Sequence, residues 1–338
     1  MHLSKKIYGL TKMIKKNLIN IAKEVIEIEK TSLNKLKSSI GKSFEQIVRT
    51  ILNCRNGRIV ISGVGKSGII GKKWSATFSS TGTPSFFMDA SNASHGDMGQ
   101  ITSNDVIILI SLSGESNELK NIIQFASRNK NIKLIGITSK KDSILFKNSD
   151  VKFLLPTVKE AGPGNFVPTS STTIQIALGD AIAISCMRYK KFGKLDFKKF
   201  HPGGYLSIKL KTVEDLMLVG KKIPFVLDNM NMKNALKKIT KKELGALVVV
   251  NNKKKTIGIL TDGDLKRISN IKNDFRNLKI KQVMKKKPIS IDKNMLAAQA
   301  LSIMNTKKIT SLCVHKNNKK NKTIGFIHIH NILNANIN

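Results

Sequence analysis

Two short runs in the sequence carry the residue types that hold anions. Gly63-Val-Gly-Lys-Ser-Gly68 and Ser111-Leu-Ser-Gly-Glu-Ser116 each place small, hydrogen-bonding residues where an apolar run ends and a helical pattern begins. Backbone N–H groups in such a turn, with the positive end of the helix dipole behind them, cradle a phosphate. The first run also fits G-x-G-x-x-G, and Asp89, after the apolar stretch 85–88, stands where a dinucleotide fold keeps its ribose-binding acid. Gly65-Lys66-Ser67 imitates a P-loop too, but that motif needs Gly where Val60 stands. The second run separates these possibilities. A dinucleotide has no use for Ser111, Ser113 and Ser116 at a second helix start, whereas one small phosphate with Lys66 and carboxylates in reach does. Any one of the three serines could be a cap or turn residue; all three together read as a nest.

Such turns need rigid elements beneath them. Short apolar runs at 59–61, 106–110, 134–137 and 153–155 each enter a Gly/Ser loop and then a helical stretch, with helices expected near 69–80, 117–128 and 170–188. Continuous apolar strands alternating with helices predict a parallel sheet covered on both faces. Residues 1–50 show apolar positions at helical spacing and read as one or two amphipathic helices. After His201-Pro-Gly-Gly204 an internal repeat begins. Val213–Met217 recurs before Met284, and Lys255-Thr-Ile-Gly-Ile-Leu260 recurs as Lys322-Thr-Ile-Gly-Phe-Ile327, both at an offset of 67. Between those marks lie helix-then-strand segments, 234–242 then 246–250 and 297–306 then 311–314, and two such small units pack against one another.

The 338 residues suffice for two or three domains, and 41% hydrophobic against 24% charged is a globular balance. The net charge of +37 invites a polyanion partner. Only seven of the 59 basic residues are Arg, however, and the lysines are spread everywhere rather than gathered on an arm with aromatics between them. Lys, Asn and Ile are enriched together, as in an A+T-biased genome, so no nucleic-acid partner is expected. Cys54, Cys186 and Cys313 show no paired spacing, which supports neither a disulfide framework nor a CxxC metal site and fits a cytoplasmic location. Residues 1–35 carry Lys every few positions and no apolar stretch of export or membrane-span length, so no membrane association is expected.

Taken together, Gly63–Gly68, Phe78-Ser-Ser-Thr-Gly-Thr-Pro84, His95-Gly-Asp97, Ser111–Glu118, Lys159-Glu-Ala161, Pro168-Thr-Ser-Ser-Thr-Thr173 and His201-Pro-Gly-Gly204 resemble the bacterial arabinose 5-phosphate isomerases. The resemblance runs from about residue 20 to near the end of the chain, in the family's order. It implies an α/β fold, a doubly wound parallel-sheet SIS (sugar isomerase) domain followed by a tandem CBS pair. The expected divisions are an N-terminal helical segment 1–48, the SIS domain 49–192, a linker 193–212, and CBS repeats 213–275 and 280–338. The implied activity is interconversion of D-ribulose 5-phosphate and D-arabinose 5-phosphate, supplying the lipopolysaccharide sugar Kdo, in a cytoplasmic homotetramer. Moving a carbonyl between C1 and C2 needs a base that shuttles a proton through a cis-enediol and a donor beside the oxyanion. It requires neither metal nor nucleotide.

The resemblance makes Lys66, Glu118, Glu160 and His201 the catalytic candidates. Glu160 is the expected enediol base, with a pKa raised toward neutrality in a dry pocket; Glu118 is the second carboxylate, Lys66 the oxyanion or phosphate partner, and His201 the group for ring opening or proton shuttling. Ser67, Gly82, Thr83, His95, Ser111, Ser113 and Ser116 are the candidate substrate contacts. Two departures stand out. Asp89 replaces a His that can take zinc in the family, and a lone carboxylate is a poor zinc site, so any zinc there is expected to inhibit. Asn331 stands in the second repeat where Asp is usual, which weakens an adenosine-type ligand on that side. The alternatives are the isomerase of a sugar-alcohol operon, with the same chemistry, and a non-enzymatic sugar-phosphate sensor, for which the N-terminal segment is short of a DNA-binding module and linker.

Overall fold

The computed structural model describes residues 2–201, 203–271, 275–316, 319 and 321–337. The chain divides into two units, Met1–Phe200 and His201–Asn338. In the first, β1 (Ile59–Gly63), β2 (Ser85–Phe87), β3 (Val106–Ile110), β4 (Lys133–Thr138) and β5 (Val151–Leu154) form one parallel sheet in the order β2-β1-β3-β4-β5. The residues of β1 and β3 are buried on both faces, which is why the sequence shows them as unbroken apolar runs.

Alternate side chains of these strands feed two different cores. Ile59, Ile61, Ile108, Ile135 and Ile137 face a layer built from α1 (His2–Ser39), α2 (Lys42–Asn53), α3 (Lys66–Ser80) and α7 (Ser170–Tyr189). Val60, Ile107, Leu109 and Leu134 face α4 (Ala90–Ala93), α5 (Asn117–Arg128) and α6 (Ile144–Asn148) on the other side. Helix α3 begins three residues before the stretch expected from periodicity, because Lys66 and Ser67 form its first turn directly behind Gly65. Helix α2 crosses the expected boundary at 48/49, and the segment expected as a linker holds α8 (Lys194–Phe200) and, in the second unit, α9 (Gly204–Lys209).

Helices α3 and α7 are stitched together along their length. Trp74 is fully buried and donates its indole N–H to the Gln175 carbonyl at 3.0 Å, a Lys73–Asp180 ion pair closes the outer edge, and Gly179 leaves room for the indole ring.

The second unit begins its repeat with α10 (Val213–Leu216), β6 (Leu218–Val219), β7 (Phe225–Leu227), α11 (Met232–Lys242), β8 (Ala246–Val250), β9 (Thr256–Thr261) and α12 (Asp262–Ile271). It continues with β10 (Lys285–Lys286), β11 (Ser290–Asp292), α13 (Ala297–Lys307), β12 (Ser311–His315), β13 (Gly325–His328) and α14 (Ile329–Leu333). Two four-stranded sheets result, β10-β9-β8-β7 and β11-β12-β13-β6. Each repeat therefore lends its leading strand to the other's sheet. The sequence repeat explains how. Met217 and Met284 lead into the lent strands and lie against Gly325 and Gly258, where a Cβ would collide with the methionine sulfur. Thr256 and Thr323, separated by the repeat offset, meet in the interior through their hydroxyls at 2.8 Å.

Candidate active site

In an open parallel sheet, ligands bind outside the carboxyl ends of the strands where the strand order reverses, here between β1 and β3. The register pairs Gly63 with Ile110, so the turn from β1 into α3 and the turn from β3 into α5 emerge side by side. Gly65 has φ +59°, a conformation that disfavours any side chain, and it lets Lys66 start α3 at once. Both helices thus aim their N-termini over the same end of the sheet. Lys66 is exposed in the first turn of α3, and Glu118 is exposed in the first turn of α5.

The serine turn is largely satisfied by itself. Ser111 Oγ lies 3.1 Å from Ser116 Oγ and accepts the Gly114 N–H at 3.1 Å, while Ser113 Oγ accepts the Glu115 N–H at 3.3 Å. Ser111 is buried and Ser113 is exposed. The loop leaving β2 comes to the same end of the sheet, and Ser94 within it accepts from Asn121 Nδ2 of α5 at 2.7 Å, which sets the exposed His95 on this face.

A third helix start joins the first two through Ser67, whose hydroxyl donates to Gln175 Oε1 at 3.2 Å. One turn earlier on α7, Glu160 is held. Its Oε2 accepts the Thr169 N–H at 2.7 Å, the Thr169 hydroxyl at 3.1 Å and the Ser171 N–H at 3.2 Å, so the carboxylate caps the helix. Burial is the largest single influence on this carboxyl and pushes it up, but the donors of Ser171 and Thr169 together outweigh it and hold it below the ordinary glutamate value. The expectation of a Glu160 raised toward neutrality is therefore corrected: it is buried, as expected, and also ionised at neutral pH.

Gly82 and Thr83 lie away from this group within the chain. Ser85 pairs with Ile59 at the start of the strands, so the turn before it lies at the amino ends, opposite the nest. There Lys190 Nζ donates to the Gly82 carbonyl at 3.1 Å and to Thr83 Oγ1 at 2.9 Å. The reason is topological, since α3 carries the chain from the carboxyl to the amino edge before residue 81. His201, half-buried, opens the second unit.

Asp89 caps α4 by accepting the Ser91 N–H at 2.9 Å, and no group of three His, Cys, Asp or Glu side chains able to hold a metal occurs among the described residues. The donors near Asp89 do not fit zinc. In the second unit a cleft of about 680 Å³ between the repeats is lined in part by Thr261, Asp264, Arg267, Lys287 and the His328–His330 pair. Asp264 accepts from the Thr261 N–H and hydroxyl and pairs with Arg267, and Asn331 accepts the His328 N–H at 2.9 Å, so the two repeat positions make the same cap with different charge.

The sequence runs agree with known families. Residues 51–185 match the SIS domain, and 213–270 and 280–338 each match the CBS domain. Arabinose 5-phosphate isomerase KdsD of Yersinia pestis is 39% identical over 316 residues, covering 93% of this chain and 95% of that one. The KdsD of Francisella tularensis is 42% identical over 318 residues, covering 93% and 96%. The chain belongs to the arabinose 5-phosphate isomerase family. Among solved structures, the c3406 protein of E. coli CFT073 in complex with arabinose 5-phosphate is 36% identical with a TM-score of 0.53, covering 55% of this chain and 98% of that one. A sugar-phosphate isomerase-like protein of Listeria monocytogenes is 32% identical with a TM-score of 0.54, covering 56% and 98%. Beyond the candidates read from sequence, Thr169, Ser171 and Gln175 belong to the site. The Pro168–Thr173 run carried a signal for the first two; nothing in the sequence marks Gln175.

Proposed function

We propose that the chain interconverts D-arabinose 5-phosphate and D-ribulose 5-phosphate. The observation that carries this is the convergence of three helix N-termini at the switch point of a family sheet, two over the Gly and Ser turns and one holding an ionised, buried glutamate. The turns at 63–68 and 111–116 receive the phosphate, with Lys66 beside it or beside the oxyanion. Glu160 takes the proton from one carbon and returns it to its neighbour through the cis-enediol. A base must be unprotonated before it can accept, and the Thr169 and Ser171 donors keep it so. The same donors make it a weak base, so Lys66 and the helix N-termini must supply much of the barrier lowering by stabilising the enediolate oxygen. Glu118 is the second carboxylate, and His201 serves ring opening or proton shuttling. Proton exchange between adjacent carbons transfers neither hydride nor single electrons, so the reaction as proposed needs no nicotinamide or flavin, and Lys66 with the helix N-termini takes the place a Lewis-acid metal would have at the oxyanion.

The same proposal places the enzyme in the cytoplasm as a homotetramer and makes its product a precursor of Kdo. No helix among the described residues is long and apolar enough to cross a membrane. Exposed Ile69, Phe166, Val167 and Ile176 on the elements around the site supply apolar surface for contact between subunits. The test is turnover of ribulose 5-phosphate by the purified protein, with Glu160→Gln and Lys66→Ala as controls. Turnover lost in both variants with the fold intact supports the assignment, and equal turnover in all three proteins overturns it.

A further inference from the structure

Gln175 is buried on α7, and its side chain, which joins that helix to Ser67, has no part in the reaction as assigned so far. Its Oε1 accepts from Ser67, its backbone carbonyl accepts from Trp74, and the Ser171 amide one turn earlier holds Glu160. It is thus the joint between the phosphate turn of α3 and the helix start that fixes the carboxylate. Its amide nitrogen makes no hydrogen bond to protein among the described residues. The Ser67 hydroxyl is therefore the side-chain partner of the Gln175 amide among the described residues, through Oε1 at 3.2 Å.

The Ser67 hydroxyl has one proton. With Oε1 turned toward it, that proton belongs to Gln175, and Ser67 can offer a phosphate oxygen nothing but lone pairs. With the amide turned over, Nε2 donates to Ser67 Oγ and the hydroxyl proton is released to the phosphate. Glutamine supports both arrangements, glutamate at neutral pH only the first, and leucine neither.

We propose that Gln175 is a positioning residue for substrate binding, whose amide holds the Ser67 hydroxyl in the empty site and turns to direct its proton at the phosphate of the incoming sugar. The proposal rests on the phosphosugar reading of this face. It places the effect in ground-state binding, because the phosphate is held alike before and during proton transfer.

The test compares wild type, Gln175→Glu, Gln175→Leu, Ser67→Ala and the Ser67→Ala/Gln175→Leu double variant by steady-state kinetics on arabinose 5-phosphate. Gln175→Glu is expected to raise KM about tenfold at pH 8 with kcat within about threefold, since it costs one hydrogen bond to a charged group and adds a like charge. Its penalty shrinks as pH falls and the carboxyl gains a proton to donate, a change wild type does not share. Gln175→Leu and Ser67→Ala should raise KM by similar factors, and the double variant by no more than either. A wild-type KM in Gln175→Glu, a penalty independent of pH, or factors that multiply in the double variant would each overturn the proposal. Calorimetry with inorganic phosphate on the same proteins separates the two ideas. Phosphate binding weakened in Gln175→Glu without turnover by wild type would keep the Gln175 role and reject the isomerase, and unaltered binding would reject the role. Because Gln175→Glu keeps the side-chain shape, the comparison survives if the leucine variant fails to fold.

Discussion

At Glu160, burial and hydrogen bonding pull the carboxyl in opposite directions, and the hydrogen bonds win. A base held ionised in this way places its acid limb below the ordinary glutamate value of 4.5. A fall in kcat/KM between pH 5 and 6 would therefore belong to another group, such as the substrate phosphate, whose second ionisation lies at about 6. Glu160→Gln should lower kcat by about 10²–10⁴, the usual worth of general acid–base catalysis, measured at constant fold by circular dichroism. The same residue contributes to stability. Its folded pKa is depressed, so the stabilisation is present above the unfolded value and is lost as pH falls through the folded one, below about pH 4. Asp105 and Asp264, also held below their ordinary value of 3.8 against burial, act in the same direction. Thermal melts of wild type should stay level from pH 8 to 5 as far as these groups count and drop below pH 4, with a shallower drop for Glu160→Gln. The sequence showed a glutamate after an apolar strand, which is why burial was legible. It did not show that Thr169 and Ser171 donate to this carboxylate, because they arrive from nine and eleven residues further on.

Elements were legible where periodicity is strong and blurred where tertiary contacts decide. The runs at 106–110 and 117–128 reappear unchanged as β3 and α5, since their apolar spacing alone fixes which residues are buried. That Gly82 and Thr83 lie at the opposite end of the sheet from the serine turns was not legible, because motif order along the chain does not say which end of a sheet a turn occupies. The close approach of α3 and α7 was likewise hidden, as it depends on Gly179 meeting Trp74 from over a hundred residues away. Gly179→Ala should cost about 1–3 kcal/mol by overpacking, read as a lower denaturation midpoint, and raise KM by disturbing the Ser67–Gln175 link. Unchanged stability would show that the helices separate easily. In the second unit, Thr256→Val or Thr323→Val alone should cost about 1–3 kcal/mol by stranding a buried hydroxyl or the Thr323 N–H that Thr256 Oγ1 accepts, while the double variant costs less than the sum of the two. Additive losses in a denaturant series would contradict the pairing.

The whole molecule carries a net charge of +37, and its lysines are scattered over both units. Counterion release makes some retention of DNA at low salt inevitable for so basic a protein. Filter binding across a salt series should show weak association that collapses by physiological salt without sequence preference. A submicromolar, sequence-selective complex surviving there would favour a sensor over an enzyme. The division into an α/β sheet unit and a repeat pair was legible from the change in pattern after residue 200 and from the offset of 67, because both are properties of local spacing. The exchange of leading strands was not, since two-residue strands such as β6 and β10 leave no periodic trace. The central claim concerns what the first unit does with a five-carbon sugar phosphate. Its most direct measurement is proton exchange in deuterated water, following arabinose 5-phosphate and ribulose 5-phosphate by NMR with the purified chain. Interconversion from either side to one equilibrium mixture, with deuterium entering at C2 of the aldose and loss of both in Glu160→Gln, is the predicted result. Binding of either sugar without interconversion or exchange would contradict it.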